Sequence, residues 1–208
     1  MTVFEEKIAD IRLVPVVSLP DVESGLKLCA ILNEQGMNAV EITFRTECAE
    51  EAISRIKKRY PNMLVLAGTV LTPEQVRVAA GAGADALVSP GCEPAMVQES
   101  LNLGLPVIPG VCTPSEVQTA MGFGLTRLKF FPAELSGGTK MVKTLLSVYR
   151  TLSLMPTGGI TLENLSSYLD LERVFCCGGT WLAPESLLAQ GEWGVIEKRI
   201  DMAMKMIS

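Results

Sequence analysis

The sequence predicts an α/β protein with a single-domain (β/α)8 barrel fold, the TIM barrel, and an extra N-terminal helix. Short apolar segments recur eight times along the 208 residues, and amphipathic segments lie between them. Such alternation is typical of parallel strands joined by right-handed crossovers. Eight units of ~25 residues match a barrel at the compact end of its size range. No composition break divides the chain, so residues 1–208 are expected to form one domain, with a doubly wound open sheet as the structural alternative.

The eight apolar segments are short and rich in Val, Ile and Leu, as expected of strands that are buried on both faces. In chain order they are LVPVVSL (13–19), AVEITF (39–44), LVLAGTV (64–70), ALVSPG (86–91), PVIPGV (106–111), RLKFFPA (127–133), LMPTGG (154–159) and VFCCGGT (174–180).

Six amphipathic segments are the clearest helices. They are VESGLKLCAILNEQG (22–36), ECAEEAISRIKKRY (47–60), PEQVRVAAGAG (73–83), EPAMVQESLNLG (93–104), PSEVQTAMGFG (114–124) and GTKMVKTLLSVYR (138–150). Residues 2–10 are predicted to form the extra N-terminal helix, and residues 193–208 the last helix.

Helix caps support these assignments. A threonine hydroxyl precedes an acidic first turn at three places, which is a helix-start pattern; these are Thr72, Thr113 and Thr161. A glycine closes four of the helices just before the next strand, as C-cap glycines do; these are Gly36, Gly83, Gly104 and Gly124.

Composition excludes several classes of function. The chain is 48% hydrophobic and 20% charged, which excludes intrinsic disorder. A net charge of -5 lacks the basic footprint that nucleic acids require. Because the chain contains no histidine, His-based triads, His general bases and His-ligated zinc are excluded. Acid–base chemistry must therefore use carboxylates, lysine, cysteine or tyrosine.

The cysteines and the apolar stretches predict a cytoplasmic protein that does not enter a membrane. The six cysteines include no CxxC pair, and we interpret them as reduced, mostly buried small apolar side chains. The longest uncharged stretch, residues 100–115, is shorter than the ~20 residues that span a bilayer. The N-terminal segment has no apolar signal core.

In a TIM barrel the active site lies at the carboxyl ends of the strands. Polar residues late in the apolar segments are therefore candidate site residues. They are Glu41, Thr43, Arg45, Thr69, Ser89, Lys129, Thr157 and Thr180. Strand alternation places Glu41, Thr43 and Arg45 on one face.

Lys129 and Glu41 are the strongest candidates. A lysine in an apolar strand is costly unless it is paired or neutral, and burial beside a cation such as Arg45 favours the neutral amine. A neutral amine can attack a carbonyl and form a Schiff base. Glu41 is the best-placed general base in a chain without histidine. The alternatives are structural ion pairs, of Lys129 with an acid such as Glu41, or of Glu41 with Arg45.

Two glycine pairs follow the last two predicted strands, as Thr157-Gly158-Gly159 and Gly178-Gly179-Thr180. Barrels often bind phosphate through the loops after strands seven and eight, where helix N-termini supply N–H donors. The alternative is that these glycines serve tight turns with positive φ.

Several segments resemble the KDPG/KHG aldolases, the 2-keto-3-deoxy-6-phosphogluconate and 4-hydroxy-2-oxoglutarate aldolases. GMNAVEITFR (36–45) resembles their active-site segment, and GLTRLKFFPAELSGG (124–138) their Schiff-base segment. The segments AGTVLTPEQ (67–75), SPG (89–91), PTGGI (156–160) and CGGTWL (177–182) match in the same order. The resemblance covers essentially the whole chain.

The resemblance implies a class I aldolase of carbohydrate metabolism in the Entner–Doudoroff pathway. Such an enzyme is a carbon–carbon lyase, needs no metal or other cofactor beyond the covalent Schiff base, and is usually a homotrimer. It would cleave 2-dehydro-3-deoxy-6-phosphogluconate (KDPG) to pyruvate and glyceraldehyde 3-phosphate, and 4-hydroxy-2-oxoglutarate (KHG) to pyruvate and glyoxylate. Its partners would be a small keto acid and a phosphorylated aldehyde.

Residue roles are implied in the same way. Lys129 would form the Schiff base and Glu41 would be the acid–base residue, while Arg45 and Thr69 would hold the keto-acid carboxylate. The residues that would shape the pocket are Pro90, Phe131 and Thr157. The residues that would bind the phosphate are Gly158, Gly159, Gly179 and Thr180. The family usually has Ser where this chain has Thr180; threonine keeps the hydroxyl and adds a methyl group.

Other functions remain as alternatives at the level of sequence. The first alternative is an aldolase that acts mainly on 4-hydroxy-2-oxoglutarate or on the 6-phosphogalactonate analogue. The related galactonate-pathway aldolases have a different sequence around the position of Arg45. A phosphate-binding barrel isomerase or epimerase without a covalent intermediate is another, and a non-catalytic binding barrel is the third.

Overall fold

The computed structural model describes residues 4, 7–8 and 10–207. The strands are β1 (Leu13–Val17), β2 (Ala39–Thr43), β3 (Leu64–Gly68), β4 (Ala86–Val88), β5 (Val107–Ile108), β6 (Gly110–Val111), β7 (Arg127–Phe130), β8 (Ser153–Pro156) and β9 (Cys177–Gly179). The helices are α1 (Val22–Glu34), α2 (Ala49–Arg59), α3 (Pro73–Gly81), α4 (Pro94–Asn102), α5 (Pro114–Gly122), α6 (Gly138–Val148), α7 (Leu162–Leu169), α8 (Glu185–Gln190) and α9 (Trp193–Ile207).

All strand pairs are parallel, and the strands close into a barrel. One sheet has the order β5-β4-β3-β2-β1-β9 and the other the order β6-β7-β8. A parallel bridge between Thr157 and Gly178 joins β8 to β9. On the other side β5 and β6 are two halves of one predicted strand, interrupted at Pro109. The TIM barrel prediction is confirmed, and the open sheet is excluded because both seams are joined.

The barrel has an inner and an outer apolar layer, which fix the direction of each side chain. The inner layer contains Val14, Ala39, Leu64, Leu66 and Met155 among others. The outer layer packs the alternate strand residues against the helices. Because side chains alternate along a strand, Glu41 and Thr43 share the inward face of Ala39.

The predicted helices and caps agree closely with the structure. The Thr72 hydroxyl accepts a hydrogen bond from the Gln75 amide, and Thr113 forms a capping box with Glu116. The four predicted C-cap glycines all have positive φ, between 67° and 85°. Most helices end one or two residues before the predicted end, because the C-cap residues fell inside the predicted ranges.

The N-terminal helix is only partly testable. Residues 4, 7 and 8 are helical, whereas residues 2, 3, 5, 6 and 9 of the predicted helix, and Ser208 of the last one, lie outside the described residues. Over the described residues, no helix combines the length and the apolar character that a membrane span requires.

Candidate active site

A lysine and a glutamate meet inside the barrel. Lys129 Nζ lies 3.1 Å from Glu41 Oε1, and their side chains are 6% and 0% exposed. Lys129 comes from β7 and Glu41 from β2, so the two groups are brought together only by closure of the barrel. The structure therefore contains the Lys129–Glu41 pair that the sequence left as one alternative, and excludes the Glu41–Arg45 pair. A buried pair of this kind is weak evidence for stability, because desolvation opposes the attraction.

The environment of Lys129 follows from its strand. The neighbouring Leu128 and Phe130 are fully buried in the outer layer, so Lys129 must face the barrel interior. Its amine lies 5.4 Å from the centre of the Phe131 ring. Next to it in register is Gly110, which has no side chain to fill the space. A Cβ at Gly110 would stand 2.1 Å from the Pro90 carbonyl oxygen.

The two carboxylate oxygens of Glu41 differ in their contacts. Oε1 accepts the Lys129 hydrogen bond. Oε2 is buried and has no hydrogen-bond partner among the described residues. A buried acceptor without a partner is costly in a purely structural role, so this oxygen is the first indication that the pair serves a ligand.

Gly68 makes room for the Glu41 carboxylate. A Cβ at this position would lie 2.4 Å from Glu41 Oε1 and 2.6 Å from its Cγ. Gly68 is the neighbour of Thr43 in the ladder between β2 and β3. Any side chain at residue 68 would therefore push Glu41 away from Lys129.

Replacing Gly68 with alanine is expected to displace the Glu41 carboxylate, lower catalytic activity and reduce the free energy of unfolding by about 1–3 kcal/mol, the usual range for overpacking. Enzyme assays and urea denaturation measure the two effects. Gly81→Ala is the matched control, because a Cβ there meets nothing within 4 Å. Equal behaviour of the two variants would contradict the steric argument.

Thr69 has an unusual backbone. It is the one non-glycine residue with positive φ in the described part of the chain, at 55°. A β-branched residue in this region is a genuine outlier, and such strain costs ~1–3 kcal/mol and concentrates at functional sites. Thr69 directly follows β3, at the carboxyl end of the barrel.

Arg45 lies outside the strand that was expected to orient it. Strand β2 ends at Thr43, and Arg45 is exposed in the turn that follows. The prediction that strand alternation directs the Arg45 side chain to the same face as Glu41 was wrong, because Arg45 does not belong to the strand. Arg45 nevertheless lines the same cavity as Thr43. Within the described ranges its guanidinium has no carboxylate partner, so it is available to an anion.

The cavity lies at the carboxyl end of the barrel and has a volume of about 340 Å³. Its walls come from the ends of β1, β2 and β9. Among the lining residues are Val16, Ser18, Thr43, Arg45, Thr180 and Trp181. Val16 is in register with Glu41 on the adjacent strand, whereas Glu41 and Lys129 are not among the residues that line this cavity.

The two glycine pairs differ in conformation. Gly158 and Gly159 have positive φ, at 94° and 80°, as expected of a tight turn. Gly178 and Gly179 belong to strand β9 and do not. A Cβ at Gly178 would lie 2.4 Å from Thr157 Oγ1. The second pair is therefore required for close packing, not for turn conformation.

The loop after β7 packs on the loop after β8. The Ala133 and Glu134 amides donate to the Thr157 and Gly158 carbonyl oxygens. A Cβ at Gly158 would lie 3.2 Å from the Phe131 ring. Phe131 and Gly158 are therefore in close contact, while the pocket roles predicted for Pro90, Phe131 and Thr157 stay predictions.

Cys176 and Cys177 do not provide a second nucleophile near the Lys129–Glu41 pair. Burial raises the pKa of Cys176 well above its usual value, and Glu41 adds to the rise. Burial also raises the pKa of Cys177 to about 12. Both thiols stay protonated and unreactive at neutral pH. No cluster of three or more metal-ligating side chains occurs in the described portion of the chain.

Sequence reasoning missed two residues at the site. Gly68 was overlooked because a glycine at a strand end has many uses. Ser18 was overlooked because its segment was considered only as an apolar strand. The inward parity that Ser18 shares with Val14 and Val16 could have identified it.

Comparison with known proteins gives consistent matches. The family model described as "Aldolase: KDPG and KHG aldolase" matches residues 4–199. The 2-dehydro-3-deoxy-phosphogluconate aldolase of Haemophilus influenzae is 40% identical over 202 residues, 97% of this chain and 95% of that protein. The KHG/KDPG aldolase of Escherichia coli K12 is 38% identical over 186 residues, 89% of this chain and 87% of that protein.

A solved structure is also similar. The KDPG aldolase of Legionella pneumophila, with pyruvate captured at low pH as a covalent carbinolamine intermediate, superposes with a TM-score of 0.91 at 34% identity. The match covers 96% of this chain and 97% of that chain.

Proposed function

The chain belongs to the KDPG and KHG aldolase family, and we propose that Lys129 and Glu41 are the groups that carry out its reaction. The protein is a class I aldolase, a carbon–carbon lyase that cleaves KDPG reversibly to pyruvate and glyceraldehyde 3-phosphate. The observation that carries the assignment of residues is the buried Lys129–Glu41 contact inside the barrel. One Glu41 carboxylate oxygen in this pair has no hydrogen-bond partner among the described residues.

Binding begins at the carboxylate of the keto acid. The Arg45 guanidinium, which has no carboxylate partner among the described residues, can hold a planar carboxylate through two hydrogen bonds. Thr69 stands in a strained conformation at the neighbouring strand end. The C2 ketone is then presented to Lys129. In its neutral form the amine attacks C2, giving a carbinolamine and, after loss of water, an iminium ion.

Cleavage follows from the charge on the iminium nitrogen. Glu41 takes the proton of the C4 hydroxyl, directly or through a water at Oε2, and the C3–C4 bond breaks. The bonding electrons move to the iminium nitrogen and give an enamine, while glyceraldehyde 3-phosphate leaves. Protonation of the enamine at C3 and hydrolysis of the imine release pyruvate and restore the amine. No metal is needed.

The phosphate of the substrate is assigned to the loops after β8 and β9. Gly158, Gly159, Gly179 and the hydroxyl of Thr180 lie at the carboxyl ends of β8 and β9. Helix α7 begins just after Gly159, so its N-terminus adds a favourable dipole. Anchors for carboxylate and phosphate at two ends fix the scissile bond beside Lys129 and Glu41. Pro90, Phe131 and Thr157 complete the pocket.

Cleavage of KHG by the same machinery is part of this proposal. The barrel isomerase, which lacks a covalent intermediate, is not favoured by the comparisons. Measuring kcat/KM for both substrates tests the preference for the phosphosugar. Equal values would refute a strict assignment to the phosphorylated substrate.

Borohydride reduction in the presence of pyruvate tests the proposed chemistry. The expected result is a stable mass increase that peptide mapping locates at Lys129. An adduct at a different lysine would overturn the residue assignment, and the absence of any adduct would favour the isomerase.

We further propose a homotrimer located in the cytoplasm. Exposed apolar side chains support self-association, with Leu135 90% and Val148 65% exposed. The cysteine pattern supports a reducing compartment. Sedimentation equilibrium measures the mass, and a monomer at micromolar concentration would contradict the trimer.

A further inference from the structure

Ser18 and Thr43 form a hydroxyl pair at the mouth of the barrel. Ser18 Oγ lies 2.9 Å from Thr43 Oγ1, and Thr43 Oγ1 donates to the Val17 carbonyl oxygen at 3.1 Å. Thr43 is only 2% exposed, whereas Ser18 is half-buried and lines the cavity. Ser18 is therefore the member of the pair that a ligand can reach.

Counting hydrogens fixes the polarity of this pair. A carbonyl oxygen can only accept, so the single hydroxyl hydrogen of Thr43 is used on Val17. The contact between the two hydroxyls is then a hydrogen bond only if Ser18 donates to Thr43. With its hydrogen committed, Ser18 presents only lone pairs to the cavity. It is preorganised to accept a hydrogen bond from a ligand.

The position of Ser18 relates it to the substrate beyond the scissile bond. Val16 is in register with Glu41, so Ser18 and Thr43 stand two residues further along their strands. Two residues of a parallel strand span ~6.6 Å. Thr43 is thus one step closer to the carboxyl end of the barrel than Glu41, and Ser18, which directly follows β1, is held beside it by their hydrogen bond.

We infer that Ser18 is a specificity-determining residue that accepts a hydrogen bond from the hydroxyl of the leaving aldehyde, at C5 of the six-carbon substrate. This inference rests on the proposed function. A phosphate dianion and a carboxylate have no hydrogen to donate to Ser18. Ser18 therefore favours an aldehyde substrate that carries a hydroxyl group over one that carries a carboxylate. Glyceraldehyde 3-phosphate has a hydroxyl next to its aldehyde carbon, whereas glyoxylate has a carboxylate there.

The test uses Ser18→Ala in the condensation direction with pyruvate and three aldehydes. These are glyceraldehyde 3-phosphate, 3-oxopropyl phosphate, which lacks only the hydroxyl, and glyoxylate. We expect kcat/KM for glyceraldehyde 3-phosphate to fall about five- to tenfold, the effect of one hydrogen bond. For 3-oxopropyl phosphate it should fall less than twofold, and Ser18→Thr should restore the hydroxyl-dependent preference.

Each alternative outcome has a definite meaning. An equal loss with glyceraldehyde 3-phosphate and 3-oxopropyl phosphate would assign Ser18 a packing role and overturn the inference, as would no loss with either. Trapping of pyruvate on Lys129 by borohydride is measured in parallel with wild-type protein. Failure of that reaction would refute the proposed function itself and is thereby distinguished from failure at Ser18.

Discussion

Replacing Lys129 with methionine is expected to abolish the pyruvate adduct and lower kcat/KM by about 10⁴-fold or more, as for loss of a nucleophile. Lys129 is the only buried lysine among the described residues. No other amine can therefore take its place beside Glu41. The measurements are aldol cleavage rate and mass spectrometry after borohydride reduction. Retention of the adduct in Lys129→Met would contradict the assignment.

In Lys129→Met, a loss of activity caused by unfolding must be distinguished from one caused by the missing amine. Methionine leaves the fully buried Glu41 carboxylate unpaired, and breaking a buried pair costs about 3–5 kcal/mol. The double variant with Lys129→Met and Glu41→Gln removes the isolated charge, so it should recover much of this stability. It should remain inactive. Because Glu41→Gln alone should still trap pyruvate, recovery of stability without a pyruvate adduct assigns the defect of Lys129→Met to the missing amine.

The barrel was predictable from sequence because its strands and helices carry local patterns. The strands are continuous apolar segments, and the helices carry hydroxyl caps and C-cap glycines, as at Thr113 and Gly36. The strand broken at Pro109 was also expected as a single apolar segment. The break lies at Pro109, which has no N–H to donate to the ladder, so the sequence did contain a signal for it.

The candidate site was predictable in its chemistry and less so in its geometry. A lysine within RLKFFPA and a glutamate within AVEITF violate the apolar pattern, which identifies them without a structure. Their 3.1 Å contact joins residues 88 positions apart, so only barrel closure determines it. The strained φ of Thr69, the turn at Arg45 and the orientation of the Ser18 hydroxyl have no local sequence pattern either.

Glu41→Gln is expected to separate the two halves of the reaction. The variant keeps the shape of the side chain and leaves Lys129, Arg45 and Thr69 in place, so pyruvate should still be trapped on Lys129 by borohydride. Cleavage needs a group that takes the C4 hydroxyl proton, and an amide cannot do so. The value of kcat for KDPG should therefore fall about 10²–10⁴-fold, the usual contribution of a general base.

The matched control for this variant is Glu172→Gln, which removes an exposed carboxylate in the segment that precedes β9. It should leave both trapping and cleavage close to wild type. If Glu41→Gln instead lost the adduct and kept its melting temperature, Glu41 would be required for imine formation. If it cleaved KDPG at the wild-type rate, the proton would pass to a different group. The second Glu41 oxygen, which has no hydrogen-bond partner in the described part of the chain, would then need another explanation.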